Sequence, residues 1–180
     1  MDFTEKTISS ERIFSGRVIN LRVDTVQTPG GGNATREIVE HPGGVGVIPI
    51  NENNEVLMVR QFRKPVEDIC LEIPAGKLNA GEDPLECGIR ELEEETGYKA
   101  KNVQSLGNFY TTPGFSNEVL HIYMATGLYK GELNPDEDEF IQVEAIPLDK
   151  LHDMVMNGEI RDAKSIIAIL KAYELVKAQK

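Results

Sequence analysis

Arg90, Glu91, Glu93, Glu94 and Glu95 crowd into six positions of a stretch that reads GKLNAGEDPLECGIRELEEETGY from Gly76 to Tyr98. Like charges three or four apart on a helix repel by a few tenths of a kcal/mol each, so the cluster calls for a compensating cation. Carboxylate oxygens, with no His or Cys of the segment placed for zinc, suit Mg²⁺ or Mn²⁺. These hard cations keep several waters and bridge to the phosphates of a substrate. The chemistry in view is therefore metal-assisted reaction at phosphorus.

At about 100° per residue, Leu85, Ile89, Leu92 and Thr96 form one stripe that is expected to face a core. Glu91 and Glu95 then lie along one edge of the stripe, with Glu94 beyond Glu91 and Glu93 on the other side. Taken alone, such a run also fits a solvated acidic helix face. A second acidic cluster, Pro135-Asp136-Glu137-Asp138-Glu139-Phe140, supplies carboxylates that can take a proton from water, and it lacks the glycine and spacing of an EF-hand loop. The residues by themselves leave Asp136, Glu137 and Asp138 equal as the base. Arg36, Arg60, Arg63 and Lys64 offer local positive charge for an anion, and a guanidinium suits bidentate phosphate contact.

The surrounding pattern decides between these readings. Gly76, five residues, Glu82, seven residues, and Arg90-Glu91-Leu92-x-Glu94-Glu95-x-Gly97 match the Nudix box residue for residue, although Tyr98 stands where an aliphatic residue is commoner. Pro113, fifteen positions beyond Tyr98, together with Arg36-Glu37-Ile38-Val39, the run Val59 to Pro65 and Leu71-Glu72-Ile73-Pro74-Ala75-Gly76, resembles the ADP-ribose pyrophosphatase branch. That resemblance implies Mg²⁺, with Mn²⁺ as a substitute, held by Glu91, Glu94, Glu95, the Ala75 carbonyl and Glu139, and Glu137 as the base. It implies hydrolysis of ADP-ribose to AMP and ribose 5-phosphate. Arg36 and Glu37 would bind adenine in the partner subunit of a homodimer with crossed N-terminal strands. Arg63 would hold the phosphate or ribose region, and Gly114 and Phe115 would line the terminal-ribose pocket. Within the box, Gly76, Glu82, Arg90 and Gly97 are structural expectations: Arg90 orients carboxylates and Glu82 braces the loop before the helix. The alternatives are another nucleoside diphosphate sugar, such as GDP-mannose, and a non-catalytic nucleotide-sensing domain, for which a broken box or an attached DNA-binding domain would be expected.

Positioning these residues requires a core, and 180 residues with 40% apolar content can bury one domain plus a small appendage. Two cysteines provide no disulfide framework, and no stretch approaches the roughly 18 apolar residues of a membrane span. The N-terminus MDFTEKTISSER has no apolar signal region, so the expected compartment is the cytoplasm. A net charge of −11 argues against nucleic acid and anionic membranes as partners, leaving a small-molecule nucleotide sugar.

Short β-rich runs at 13–19, 21–26, 37–40, 45–50 and 56–62, with a turn at Pro29 to Asn33, predict a strand-rich first third. Further strands are expected at 103–109, 119–125 and 140–146, a short helix at 149–156, and a final helix capped by Asp162 and carrying Ile166, Ile169, Leu170, Tyr173 and Val176. Residues 1–42 are read as an N-terminal antiparallel β meander for dimerisation and strand exchange, and 43–180 as the catalytic domain. Pattern alone yields α/β or α+β; the resemblance implies a Nudix fold, a mixed β-sheet sandwiched between helices.

Overall fold

The computed structural model describes residues 2–134 and 140–178. Its elements are β1 (Lys6–Ser15), β2 (Asn20–Gln27), β3 (Asn33–Glu40), β4 (Gly44–Ile50), β5 (Glu55–Arg63), β6 (Asp68–Glu72), β7 (Ala75–Lys77), α1 (Pro84–Thr96), β8 (Tyr98–Tyr110), β9 (Val119–Lys130), β10 (Gln142–Pro147), α2 (Leu148–Met156) and α3 (Ala163–Lys177). They divide into two compact units, Met1–Gly43 with Tyr110–Val119, and Gly44–Phe109 with Leu120–Lys180.

The first unit is an antiparallel meander in the order β1-β2-β3. Its first strand lies earlier than the sequence pattern suggests, because Gly16 to Ile19 form the turn and the Gly16 N–H donates to the Ile19 carbonyl at 3.0 Å. The glycine-rich Pro29 to Asn33 stretch closes the second hairpin, with the Thr28 amide donating to the Gly32 carbonyl at 2.8 Å. Arg22 ties the strands by pairing with Glu40 at 2.7 Å and Asp24 at 3.1 Å. The 112–117 loop is clipped to the end of β3, since the Val39 N–H donates to the Phe115 carbonyl at 2.7 Å.

The second unit holds a seven-stranded mixed sheet, β10-β5-β4-β9-β8, with β6 added on β5 and β7 on β4. β4 runs parallel to β9 and antiparallel to β5 and β7. Every residue of β4 is buried, and its side chains alternate between two cores, as the period of a strand demands. Val45 and Val47 pack with Cys87 and Leu92 of α1 on one face. Ile48 and Ile50 pack with Leu148 and Leu151 of α2 and Ala168, Ile169 and Ala172 of α3 on the other. The sheet is thus sandwiched between helices. β6 and β7, on either side of Pro74, are absent from the strands the sequence pattern predicts: each is short and pairs with a longer neighbour, β6 with β5 and β7 with β4.

The start of α1 follows from local chemistry. Asp83 caps it, accepting from the Leu85 amide at 2.9 Å and the Glu86 amide at 3.2 Å, with Pro84 in the first turn where its missing N–H does no harm. Which face it buries does not. The buried residues are Cys87, Gly88, Leu92, Glu95 and Thr96, whereas Leu85 and Ile89 are 38% and 42% exposed. The cause is Gly88, where an added Cβ would stand 2.9 Å from Val45 Cγ1 and 3.2 Å from Val47 Cγ2. That close approach turns the helix about a quarter turn from the expected stripe, which buries Glu95 and leaves Glu91 partly buried beside it.

Candidate functional site

Because the helix is turned this way, its carboxylates meet the strand that precedes it. At Gly76 an added Cβ would lie 1.9 Å from both Cδ and Oε1 of Glu91, so only glycine leaves room for that carboxylate against the chain. Glu95 is 2% exposed, and its Oε2 accepts the Ala75 N–H at 3.0 Å. Gly97 ends the helix in a left-handed conformation and donates to the Glu93 carbonyl.

Arg90 gathers the other acids. Its Nη1 lies 2.8 Å from Glu91 Oε1 and 2.7 Å from Glu94 Oε2, and its Nε lies 3.0 Å from Glu82 Oε1. Burial works against the guanidinium charge, but Glu82, Glu91 and Glu94 outweigh it and raise its pKa above the ordinary value. Glu82 also accepts the Asn79 amide at 2.9 Å; that bond and Arg90 hold its pKa below the usual carboxylate range. Burial, and then the charges of Glu82 and Glu91, push the Cys87 thiol up to about 12.

Among the described residues no three of His, Cys, Asp and Glu converge into a ready metal cage. Glu82, Glu91 and Glu94 are drawn to Arg90 and Glu95 to the Ala75 amide. The donor set nevertheless fits a hard divalent cation. It is all oxygen, Glu91, Glu94 and Glu95 follow one another along α1, and the absence of a side chain at Gly76 is what lets the Glu91 carboxylate reach the chain there.

Among the three arginines and the lysine marked in the sequence, Arg63 lines a cavity of about 500 Å³, together with Asp68, Cys70, Glu72, Arg161, Asp162 and Lys164. Arg60 pairs with Glu144, and Lys64 pairs with Glu67 on an exposed turn. Arg63 donates from Nε to Glu72 Oε1 at 2.9 Å and from Nη2 to Glu72 Oε2 at 2.8 Å. Glu72 is 2% exposed and also pairs with Lys164. Burial raises its pKa, but the Arg63 and Lys164 bonds prevail and lower it to about 2. Sequence reasoning passed over Glu72 and Lys164 as site residues. The signal for Glu72 was present, a lone charge between Leu71 and Ile73 in an otherwise apolar run, which reads as a buried acid in need of a cation.

Arg36, Glu37, Gly114 and Phe115 belong to the first unit. Arg36 pairs with Glu5, and Glu37 is exposed at the next position of β3, so the two side chains leave opposite faces of the strand. Phe115 is 55% exposed, and nothing crowds the position of a Gly114 side chain. Glu137 and Glu139 lie outside the described residues, as do Asp136 and Asp138.

Two family models match consecutive stretches of the chain. Residues 40–168 match the NUDIX domain model, and residues 5–39 match the nucleoside diphosphate sugar hydrolase N-terminal domain model. The methanol dehydrogenase activator of Bacillus methanolicus is 49% identical over 179 residues, 97% of each chain. The ADP-ribose pyrophosphatase of Bacillus subtilis (strain 168) is 47% identical over 182 residues, covering 98% of this chain and 97% of that one. A crystal structure of an ADP compounds hydrolase superposes with a TM-score of 0.88 over 99% of this chain and 98% of that one; at 22% identity it shows the fold.

Proposed function

We propose that this chain, which belongs to the Nudix family, hydrolyses ADP-ribose to AMP and ribose 5-phosphate with the help of Mg²⁺. The observation that carries this reading is the seating of Glu91 against Gly76 and of Glu95 on the Ala75 amide, which brings two carboxylates of α1 against one short stretch of chain. The 47% identity with a protein named ADP-ribose pyrophosphatase supports the substrate.

Members of this family generally use a divalent metal. Glu91, Glu94, Glu95, the Ala75 carbonyl and Glu139 would hold it. Such a metal, when bound, neutralises the diphosphate and makes phosphorus a better electrophile. Glu137 takes a proton from water, whose oxygen attacks phosphorus while the bridging P–O bond breaks. Arg63 presents its guanidinium to the phosphates, Arg36 and Glu37 serve the adenine, and Gly114 and Phe115 border the terminal ribose. Arg90 holds Glu91 and Glu94 in place, so that little reorganisation is left for the reaction itself.

Residues 1–42 serve as a dimerisation subdomain in a cytoplasmic homodimer. Support comes from β1, every residue of which is exposed, including Ile8, Ile13 and Phe14, since an uncovered apolar strand is a surface for a second copy. No helix among the described residues is long and apolar enough to cross a membrane.

The test is product analysis after incubation with ADP-ribose and Mg²⁺ in ¹⁸O-water. AMP and ribose 5-phosphate, one carrying the label, are expected; intact ADP-ribose under conditions where GDP-mannose is cleaved would move the assignment to another sugar nucleotide. A second reading is stimulation of an alcohol dehydrogenase, favoured by the 49% full-length identity with the Bacillus methanolicus activator. An unchanged methanol dehydrogenase rate on adding the chain counts against it.

A further inference from the structure

Glu72 is shared between two cations, and the sharing is uneven. Arg63 grips both carboxylate oxygens with Nε and Nη2, and among the described residues its Nη1 is left for another acceptor. Lys164 bonds the same Oε2 that Arg63 Nη2 uses, so the lysine competes with the arginine for that oxygen. The lysine is itself fixed. It reaches Asp162 Oδ1 at 3.1 Å, its side chain is 12% exposed, and its stem passes 3.9 Å from where a Cβ on Gly46 would stand. The first turn of α3 is bracketed to the strand segment by Ser165, which is fully buried: its Oγ accepts the Ile73 N–H at 2.8 Å and donates to Asp162.

We infer that Lys164 is a positioning residue for Arg63, acting through Glu72, and that it sets how strongly the cavity takes an anionic diphosphate. The inference rests on the proposed hydrolysis of ADP-ribose. Three cations, Arg63, Arg161 and Lys164, and three carboxylates, Asp68, Glu72 and Asp162, balance along this wall, Arg161 pairing with Asp68. Without the lysine, Arg63 becomes the sole cation on a buried carboxylate, and the wall acquires a net negative charge. Phosphate is then repelled, and the guanidinium is drawn more tightly to Glu72. The alternative is an ion pair that only fastens α3 to the sheet, for which an apolar residue of similar length would serve as well.

Steady-state kinetics on ADP-ribose with Mg²⁺ separate the two. Lys164→Met is expected to raise KM about tenfold, the order of one nearby unit charge at intermediate dielectric, with kcat within about twofold. Lys164→Arg restores the charge and is expected to bring KM back to within about threefold of wild type. An unchanged KM in Lys164→Met, or a loss confined to kcat, overturns the inference. Should Lys164→Met lose cooperative unfolding, Asp162→Asn decides, because asparagine keeps the helix cap while removing a negative charge. KM is then expected to fall about threefold by the same charge argument, and a rise or no change overturns the inference. A wild-type chain that leaves ADP-ribose intact sinks the proposed function and the inference with it. A wild type that is active, beside variants with unaltered KM, sinks the inference alone.

Discussion

Individual glutamates of α1 have different surroundings, and those surroundings assign different consequences to their loss. Glu95 is 2% exposed and bonded to the Ala75 amide, so Glu95→Gln changes charge with little change in shape. Its kcat with saturating Mg²⁺ is expected to fall about a hundredfold or more, because a metal-bound diphosphate loses part of its preorganised charge compensation. A near-wild-type rate would remove α1 from the metal site. Glu137→Gln is expected to lower kcat by about 10²- to 10⁴-fold while KM stays close to wild type, the behaviour of a lost general base. An unaltered kcat would shift that role to Asp136 or Asp138. Glu72 yields a prediction about stability. Its pKa is about 2 in the folded chain against an ordinary 4.5, so its contribution is present above pH 4.5 and lost as pH falls through about 2. Wild type should therefore lose on the order of 3 kcal/mol across that window, and Glu72→Gln should show a flatter profile in acid denaturation followed by circular dichroism.

At the scale of elements, the site depends on how closely α1 and β7 approach. The helix is pressed onto Val45 and Val47 at Gly88, and the strand passes against Glu91 at Gly76. Gly76→Ala places a methyl where the Glu91 carboxylate now sits, so either the strand or the carboxylate must move. Displacement of about 1 Å in a reacting constellation can reduce rate a hundredfold, and kcat/KM is expected to fall by about that factor. The Mg²⁺ concentration needed for half-maximal rate should rise with it, since Glu91 is the group displaced. Gly76→Ala with wild-type metal dependence would show that Glu91 is not a ligand.

For the whole molecule, the exposed β1 is the surface on which the proposed assembly rests. Ile8 and Ile13 are 55% and 51% exposed on a strand with no buried residue. Replacing both with Asp leaves the meander pairing intact while placing charge on the surface proposed for the second copy. Sedimentation should then give the 20.0 kDa monomer, in contrast to a wild-type dimer. Because the adenine-binding role of Arg36 and Glu37 is proposed to operate in the partner subunit, KM for ADP-ribose should rise in the same variant. A wild type already monomeric at micromolar concentration removes the assembly from the mechanism.

What the sequence determined by itself was short in range. Gly76 and the spacing of Arg90, Glu91, Glu94 and Glu95 lie within a single turn and helix, so periodicity and family resemblance reached them without knowledge of any neighbour. The mixed sheet between helices was likewise foreseen from the order of elements and the resemblance. Tertiary structure decided which face of α1 is buried, since that depends on Gly88 meeting two valines of β4 and not on the stripe of Leu85 and Ile89. It also decided the partnership of Glu72 with Lys164, 92 residues apart. No local pattern marks such a pair, because their attraction exists only once the fold has removed both from water and set them within bonding distance.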